Sequence, residues 1–372
     1  MIRRRDWLFT GAVAATLRAQ GAPRPHVESI ATISQEPEFY HGWATLAARS
    51  NGELLVAYSG GRESHVCPFG RVELIRSRDG GHGWSWPQVL MDSPIDDRDA
   101  GVIESPLGSL LVTTFTSLAY ETELQRASGW APEKLARWRA VDLRSTQEQR
   151  QALLDTWMLR STDGGMTWSA PFRVPLNSPH GPIALSGGRL LYAGKQLWQP
   201  GRKPGVCESV DDGQTWRWLS DIPARPGDSV VEYHELHAVE AANGRIVVHI
   251  RNHNRENPGE TLQSESADGG KNWTAPHAIG VWGLPSHLLR LRDGRLLMSY
   301  GYRRAPFGNQ ARISSDHGQT WSEPIIVSDD GAGSDLGYPA TVEIESGHLL
   351  TVWYESLKDS THAVLRQARW SI

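Results

Sequence analysis

Ser77-Arg78-Asp79-Gly80-Gly81-His82-Gly83-Trp84 is one of five stretches sharing the pattern Ser-x-Asp-x-Gly-x-x-Trp; the others run Ser161 to Trp168, Ser209 to Trp216, Ser266 to Trp273 and Ser314 to Trp321. Successive copies start 84, 48, 57 and 48 residues apart. Self-similarity at a period of about 50 residues marks a repeat architecture in which each copy is one supersecondary unit. The pattern has a local mechanism. Asp bonds nearby backbone N–H groups and Gly accepts positive φ, so the pair makes a tight turn. Ser ends one strand, and the Trp that begins the next is large enough to seal a joint between units.

A second repeat fixes the count. Gly-x-(Leu/Ile)-apolar occurs at Gly52, Gly108, Gly188, Gly244, Gly294 and Gly347, each between two apolar runs, as a short hairpin requires. Each unit therefore reads strand, Gly turn, strand, loop, strand, Asp-box turn, strand. Four strands per repeat describe a propeller blade. The expectation is an all-β fold: a six-bladed β-propeller with four-stranded antiparallel blades, one domain over residues 22–372. The sixth unit, Leu336 to Trp370, lacks a box, and the segment near Val27 to Ile33 is expected to supply its outer strand.

Composition is that of a globular, turn-rich chain: 22% charged residues, 37 Gly and 22 Pro in 372 residues. A net charge of −4 without a basic tract argues against nucleic acid as a partner. The two cysteines, Cys67 and Cys207, fall in different units, so neither a disulfide framework nor a Cys-x-x-Cys metal site is indicated. Residues 1–21 read as an export signal of the twin-arginine type. Arg3-Arg4-Arg5 precede the apolar run Trp7 to Leu17 and small residues near Ala19 to Ala22, and the run is too short for a stable membrane span. The expected location is periplasmic or extracellular.

Residues 121–155 break the strand pattern and explain the wide first spacing. Pro132 suits a first helical position, and Ser145 with Glu148 reads as a capping box. This helical insertion in blade 2 is expected to form a lid or pocket wall, or else a contact between subunits.

Ligands bind at concave mouths, and here the mouth is where the inner strands begin. Nine residues before each turn Gly stand Trp43, Asp99, Pro179, Glu235, Pro285 and Tyr338; two further on stand Thr45, Gly101, Gly181, His237, His287 and Ala340. Asp99, Glu235 and Tyr338 are thus expected at one axial mouth, with His237 and His287 beneath. The second strands return Arg62, Glu63 and His65 to this face from blade 1, Lys195 from blade 3, Arg251 and His253 from blade 4, Arg303 and Arg304 from blade 5 and Glu355 from blade 6. Converging Arg forks suit a carboxylate or phosphate.

Five Asp boxes on six blades resemble the sialidase superfamily of BNR-repeat propellers, over nearly the whole chain. Glu235, Arg251, Tyr338-Pro339-Ala340-Thr341-Val342 and Arg303 match that superfamily's layout. The strings Gly61 to Gly70, Asp96 to Gly101 and Asp335 to Pro339 look like an uncharacterised bacterial branch of it. The resemblance implies an exo-acting, retaining glycoside hydrolase that releases a terminal, sialic-acid-like sugar from glycans without a cofactor or metal. Tyr338 would be the nucleophile and Glu235 its base, as in the known tyrosine exception among glycosidases. Arg251 and Arg303 would grip the substrate.

The chain also departs from that pattern. His41 stands where the superfamily has an Arg of a three-Arg grip; Arg62 or Arg98 would compensate. Glu63 and His65 stand where it has an acid/base Asp; His65 is favoured for that role, with Asp99 the alternative. The departures point towards a different acidic sugar. Two other functions stay open: a uronate lyase using His, Tyr and Arg, and a non-catalytic glycan-binding propeller. Several histidines near the mouth (His41, His65, His180, His237, His253 and His287) would suit such a lyase or a metal.

Overall fold

The structure is a computed structural model that describes residues 25–358, 360 and 362–372. The export signal read in residues 1–21 lies outside them. Six four-stranded antiparallel sheets surround one axis. Their inner strands are Tyr40–Ala48, Asp96–Glu104, Ile183–Ala184, Tyr233–Glu240, Ser286–Arg290 and Leu336–Glu345. In blade 1 the inner strand pairs with Leu54–Arg62, that strand with Arg71–Ser77, and that in turn with Gln88–Met91. In blade 6 the outermost place is taken by His26–Thr32, which pairs antiparallel with Ala363–Ser371 and closes the ring. The closure is non-covalent, made by strand hydrogen bonds between the two ends of the chain.

Each Asp box forms the turn its composition demands. Ser77 Oγ donates to Asp79 Oδ1 at 2.7 Å and accepts from the Gly81 N–H at 2.8 Å, while Asp79 Oδ1 accepts from the Gly83 N–H at 2.9 Å. The other four boxes repeat the Ser–Asp and Ser–Gly bonds. Three box tryptophans donate to the preceding blade: Trp84 to Gln367, Trp273 to Ser220 and Trp321 to Gln263. The boxes join third to fourth strands, so alternation puts them on the far face, where the inner strands end.

That face is stapled a second way. At the ends of alternate inner strands, Glu104, Glu240 and Glu343 accept the N–H of Ser50, Ser186 and Arg292 in the hairpin of the preceding blade, at 2.6, 2.7 and 2.6 Å. Apolar residues fill the seams between blades, as in the cluster of Trp43, Leu46 and Val56 with Val342, Leu350 and Val352. On the axis the inner strands approach closely: a Cβ on Gly101 would lie 2.6 Å from the backbone N of Gly181.

Between the second and third strands of blade 2 run α1 (Ala119–Gln125), α2 (Pro132–Asp142) and α3 (Gln147–Leu153). Pro132 opens α2. The capping box of α3 is formed by Thr146 with Gln149, one residue beyond the pair read from sequence: Thr146 Oγ1 accepts from the Gln149 N–H and Gln149 Oε1 from the Thr146 N–H. Trp138 of α2 is buried with Cys67, Ile95 and Tyr120, which fastens the helices beside the blade 1 loop.

Candidate active site

Four side chains reach the mouth through one backbone device. Trp43, Asp99, Glu235 and Tyr338 have φ of 54°, 45°, 44° and 54°. At each, the register between the inner strand and its neighbour slips, between Gly42 and Thr45, Arg98 and Gly101, His234 and His237, and Gly337 and Ala340. These are β-bulges, which bend the strand and re-aim a side chain. A non-glycine residue in this left-handed region costs about 1–3 kcal/mol, and such strain clusters where geometry serves function. Blades 3 and 5 carry Pro179 and Pro285 at the equivalent position, where the pyrrolidine ring forbids positive φ.

Tyr338, Glu235 and Arg251 form a closed triangle. The Tyr338 phenol donates to Glu235 Oε1 at 2.6 Å. Arg251 Nη1 donates to Glu235 Oε2 and to the Tyr338 oxygen, the latter at 3.1 Å. Burial, reinforced by the Glu235 charge, holds the phenol well above its usual pKa, so it is neutral at physiological pH. Burial alone would raise the Glu235 carboxyl; Arg251 and the Tyr338 hydrogen bond outweigh it and hold the group below the ordinary value. The pair is a neutral phenol hydrogen-bonded to a carboxylate able to take its proton. His253 Nε2 accepts from Arg251 Nε at 2.7 Å and fixes the guanidinium from behind. Arg303 stands with its guanidinium carbon 5.8 Å from the Tyr338 ring centroid, its Nε donating to the Leu336 carbonyl at 2.9 Å. It makes no ion pair among the described residues.

Asp99 faces the same space, 6% exposed. Its carboxyl receives no hydrogen bond from a described residue. Burial, aided by the Glu235 charge and opposed chiefly by Arg98, pushes it up to about 7. Arg98 lies 4.3 Å from the Trp43 ring centroid and 3.5 Å from Asp96.

A second polar group closes the other side. His65 Nδ1 lies 3.1 Å from Asp335 Oδ1 and 2.9 Å from the Tyr40 hydroxyl, and Tyr40 and Tyr354 also donate to Asp335. An Nδ1–H shared with Asp335 leaves Nε2 as the free lone pair of His65. The imidazole is half exposed and stands edge-on to Trp43, with ring centroids 4.9 Å apart.

The sequence model of the BNR repeat-like domain family matches residues 52–351. The chain belongs to that family. It is 25% identical over 344 residues to a sialidase of Bacteroides fragilis, spanning 84% of this chain and 59% of the relative, so the BNR chain covers less than two thirds of that protein's length. A protein of unknown function from Dyadobacter fermentans has the same fold, with a TM-score of 0.77, 22% identity, and coverage of 94% of this chain and 100% of that one. A leech intramolecular trans-sialidase complexed with 2,7-anhydro-Neu5Ac shares the fold at a TM-score of 0.66 and 15% identity, covering 95% of this chain and 71% of that one.

In this BNR propeller several residues read as binding groups are spent elsewhere. Arg62 is fully buried in a bidentate pair with Asp96, at 2.6 and 3.0 Å, and donates to the His65 carbonyl at 3.0 Å. Glu63 accepts from Arg137 Nε at 2.8 Å and Trp138 Nε1 at 2.9 Å, so it anchors α2. His41 is turned into blade 1, its Nδ1 2.7 Å from Ser34 Oγ and its ring against Tyr58. Burial lowers its pKa to about 4. The bulge between Gly42 and Thr45 holds Trp43 at the mouth, and a second slip, between Tyr40 and Gly42, brackets His41, which turns away from it. His237 and His287 lie on the axis, buried, below the mouth. Arg304 stacks on Trp282, 3.7 Å from the ring centroid, away from Tyr338. Glu355 is buried, held by Trp353 and Arg366.

The sequence reading missed Asp335, Tyr40, Tyr354 and Trp43 as parts of the site. Asp335 had a signal, three residues before Tyr338. Its role depends on Tyr40, which is 295 positions away.

Proposed function

We propose that this protein is an exo-acting, retaining glycoside hydrolase that removes a terminal acidic sugar from a glycan. The observation carrying the reading is the 2.6 Å hydrogen bond from Tyr338 to Glu235, with Arg251 bridging both. As the phenol oxygen attacks the anomeric carbon, Glu235 takes its proton and Arg251 stabilises the developing phenolate. The departing oxygen takes a proton from Asp99, whose buried carboxyl, pushed up to about 7, still holds its proton in a large share of molecules at neutral pH. The same group then deprotonates the water that cleaves the tyrosyl adduct. His65, oriented by Asp335, is the alternative for that role. A neutral nucleophile suits an anionic substrate. Its carboxylate is placed between Arg251 and Arg303, a two-Arg grip, because His41 and Arg62 are committed elsewhere. The sialidase relative supports the reaction class. Residues 1–21 fit an exported enzyme meeting glycans outside the cytoplasm.

The test is turnover of a panel of aryl glycosides of acidic sugars by wild type and Tyr338→Phe. A loss of about a thousandfold or more in kcat is expected for the variant; unchanged turnover refutes the mechanism. The contact of His65 with Tyr40 and Asp335 also fits a base in a uronate lyase, whose product would carry a new ultraviolet-absorbing double bond.

A further inference from the structure

Beside the triangle of Tyr338, Glu235 and Arg251, blade 4 gathers a second polar group. Glu232 ends the 3₁₀ turn Val230–Glu232, His234 lies at the start of the inner strand, and His253 directly follows the strand Ile246–Asn252 that returns to the mouth. The backbone holds the three together. The Glu232 carbonyl accepts the His253 N–H at 2.9 Å, and His234 stands opposite Arg251 in the ladder. One ligand atom from each, a carboxylate oxygen and two imidazole nitrogens, lies within 4.8 Å of the others. Glu232 and His234 are partly exposed and His253 is exposed, so the cluster opens to solvent.

The lone pairs of the cluster are free of the neighbouring cation. Burial lowers the pKa of both imidazoles, His234 to about 3, so both rings are neutral. The Lys195 ammonium donates to the Val231 carbonyl and lies 3.4 and 3.3 Å from the two ring nitrogens of His234. A bond along either in-plane lone pair would leave the other nitrogen much farther away, so the ammonium sits over the ring face and takes neither. The Glu232 carboxylate has no hydrogen bond or ion pair among the described residues.

Two imidazoles and a carboxylate are a donor set for a divalent transition metal of the zinc kind, whereas magnesium and calcium take oxygens. Tetrahedral zinc at about 2.1 Å spaces its ligands about 3.4 Å apart, so the three atoms need to close by no more than about 1.4 Å, within reach of side-chain rotation at the surface. His253 cannot serve the metal and Arg251 together. Its Nε2 accepts the Arg251 Nε–H at 2.7 Å, which requires a lone pair there. If Nε2 takes the metal, that lone pair is spent. If Nδ1 takes it, the single ring proton moves to Nε2, which then meets the Arg251 N–H with another N–H. Either way the guanidinium loses its hold from behind.

We propose that Glu232, His234 and His253 form a binding site for a divalent transition metal such as zinc, and that metal and Arg251 compete for His253, so that the metal unseats Arg251 and inhibits the enzyme. Binding at these residues is independent of the glycosidase reading; only the inhibition rests on it. The test is calorimetric titration of the untagged protein with zinc chloride, beside the ¹⁵N signal of Arg251 Nε. Wild type should bind zinc with a dissociation constant of about 100 µM or tighter, and the Arg251 signal should move. Glu232→Gln and His234→Asn should each weaken binding about tenfold or more, with metal-free melting temperatures close to that of wild type. Zinc should lower turnover of an acidic glycoside by about tenfold or more, as loss of one charge-assisted hydrogen bond implies. Glu232→Gln should keep its metal-free turnover and escape that inhibition. No zinc binding to wild type, or undiminished binding in both variants, overturns the site whatever the enzyme's activity. Zinc held by these residues with the Arg251 signal unmoved overturns the competition. Absence of turnover in metal-free wild type counts against the glycosidase reading alone.

Discussion

Replacing Asp99 with asparagine separates the charge of this side chain from its shape. In the folded protein the carboxyl is pushed from 3.8 up to about 7. A group whose folded pKa is raised gives its full stability below the unfolded pKa and loses it as pH climbs towards the folded one. Wild type therefore loses stability between about pH 4 and pH 7, at about 1.4 kcal/mol per unit, for a total of about 4 kcal/mol. The substituted amide cannot ionise, and asparagine tolerates the left-handed backbone that Asp99 adopts. With an unfolding entropy of about 2.1 cal/mol/K per residue, 4 kcal/mol corresponds to about 5 °C in a chain of this length. Calorimetry at one scan rate should find Asp99→Asn melting within about 1–2 °C of wild type at pH 4.5 and about 5 °C above it at pH 8.5. A difference independent of pH, or a variant less stable than wild type at pH 8.5, would refute the buried-acid reasoning. The same protein tests the chemistry. If Asp99 is the acid, kcat falls by about 10²–10⁴; if kcat holds, the role passes to His65.

Asp96→Asn should strand the fully buried Arg62 guanidinium, costing about 3–5 kcal/mol and lowering Tm by about 4–6 °C. KM measured below that temperature should not move, and a KM effect without loss of Tm would restore Arg62 as a substrate contact. If His65 rather than Asp99 is the acid, Asp335→Asn should lower kcat about tenfold or more by releasing the imidazole; an unchanged kcat would make the His65–Asp335 contact structural only. Glu63→Gln should weaken the anchor of α2 by about 1 kcal/mol, because Arg137 is half exposed and its charge is screened. The readout is faster proteolysis within residues 119–153 at unchanged global Tm, and equal protection would show that Trp138 alone holds the helix.

Much of the site was legible because the turns set the register. Counting back nine residues from each turn glycine found Asp99, Glu235 and Tyr338 without any structure, since hairpin geometry is local and repeats with the sequence. The step of two further on also held, since His237 and His287 lie buried beneath the mouth. The resemblance misled at His41, beside which the ladder of blade 1 slips. That residue aligns with a substrate-gripping Arg in the resembling superfamily, yet it is turned onto Ser34 and Tyr58. Arg62 and Glu63 were reachable in position but not in partner. Whether a guanidinium meets substrate or a buried Asp96 depends on which charge lies nearest in space.

The sequence by itself determined the blades: their number, their hairpins, the box turns and the closing of the ring by His26–Thr32. These follow from turn chemistry and strand alternation within tens of residues. Only the tertiary structure decided the division of labour at the two ends of the axis. At the mouth, bulges aim four strained residues inward, Arg251 closes on Glu235 and Tyr338, and Asp335 reaches His65 across 270 positions. Beneath it, three imidazoles from three blades meet. Those contacts join side chains whose separation along the chain carries no signal, and burial, which sets their charge states, exists only once the ring has closed.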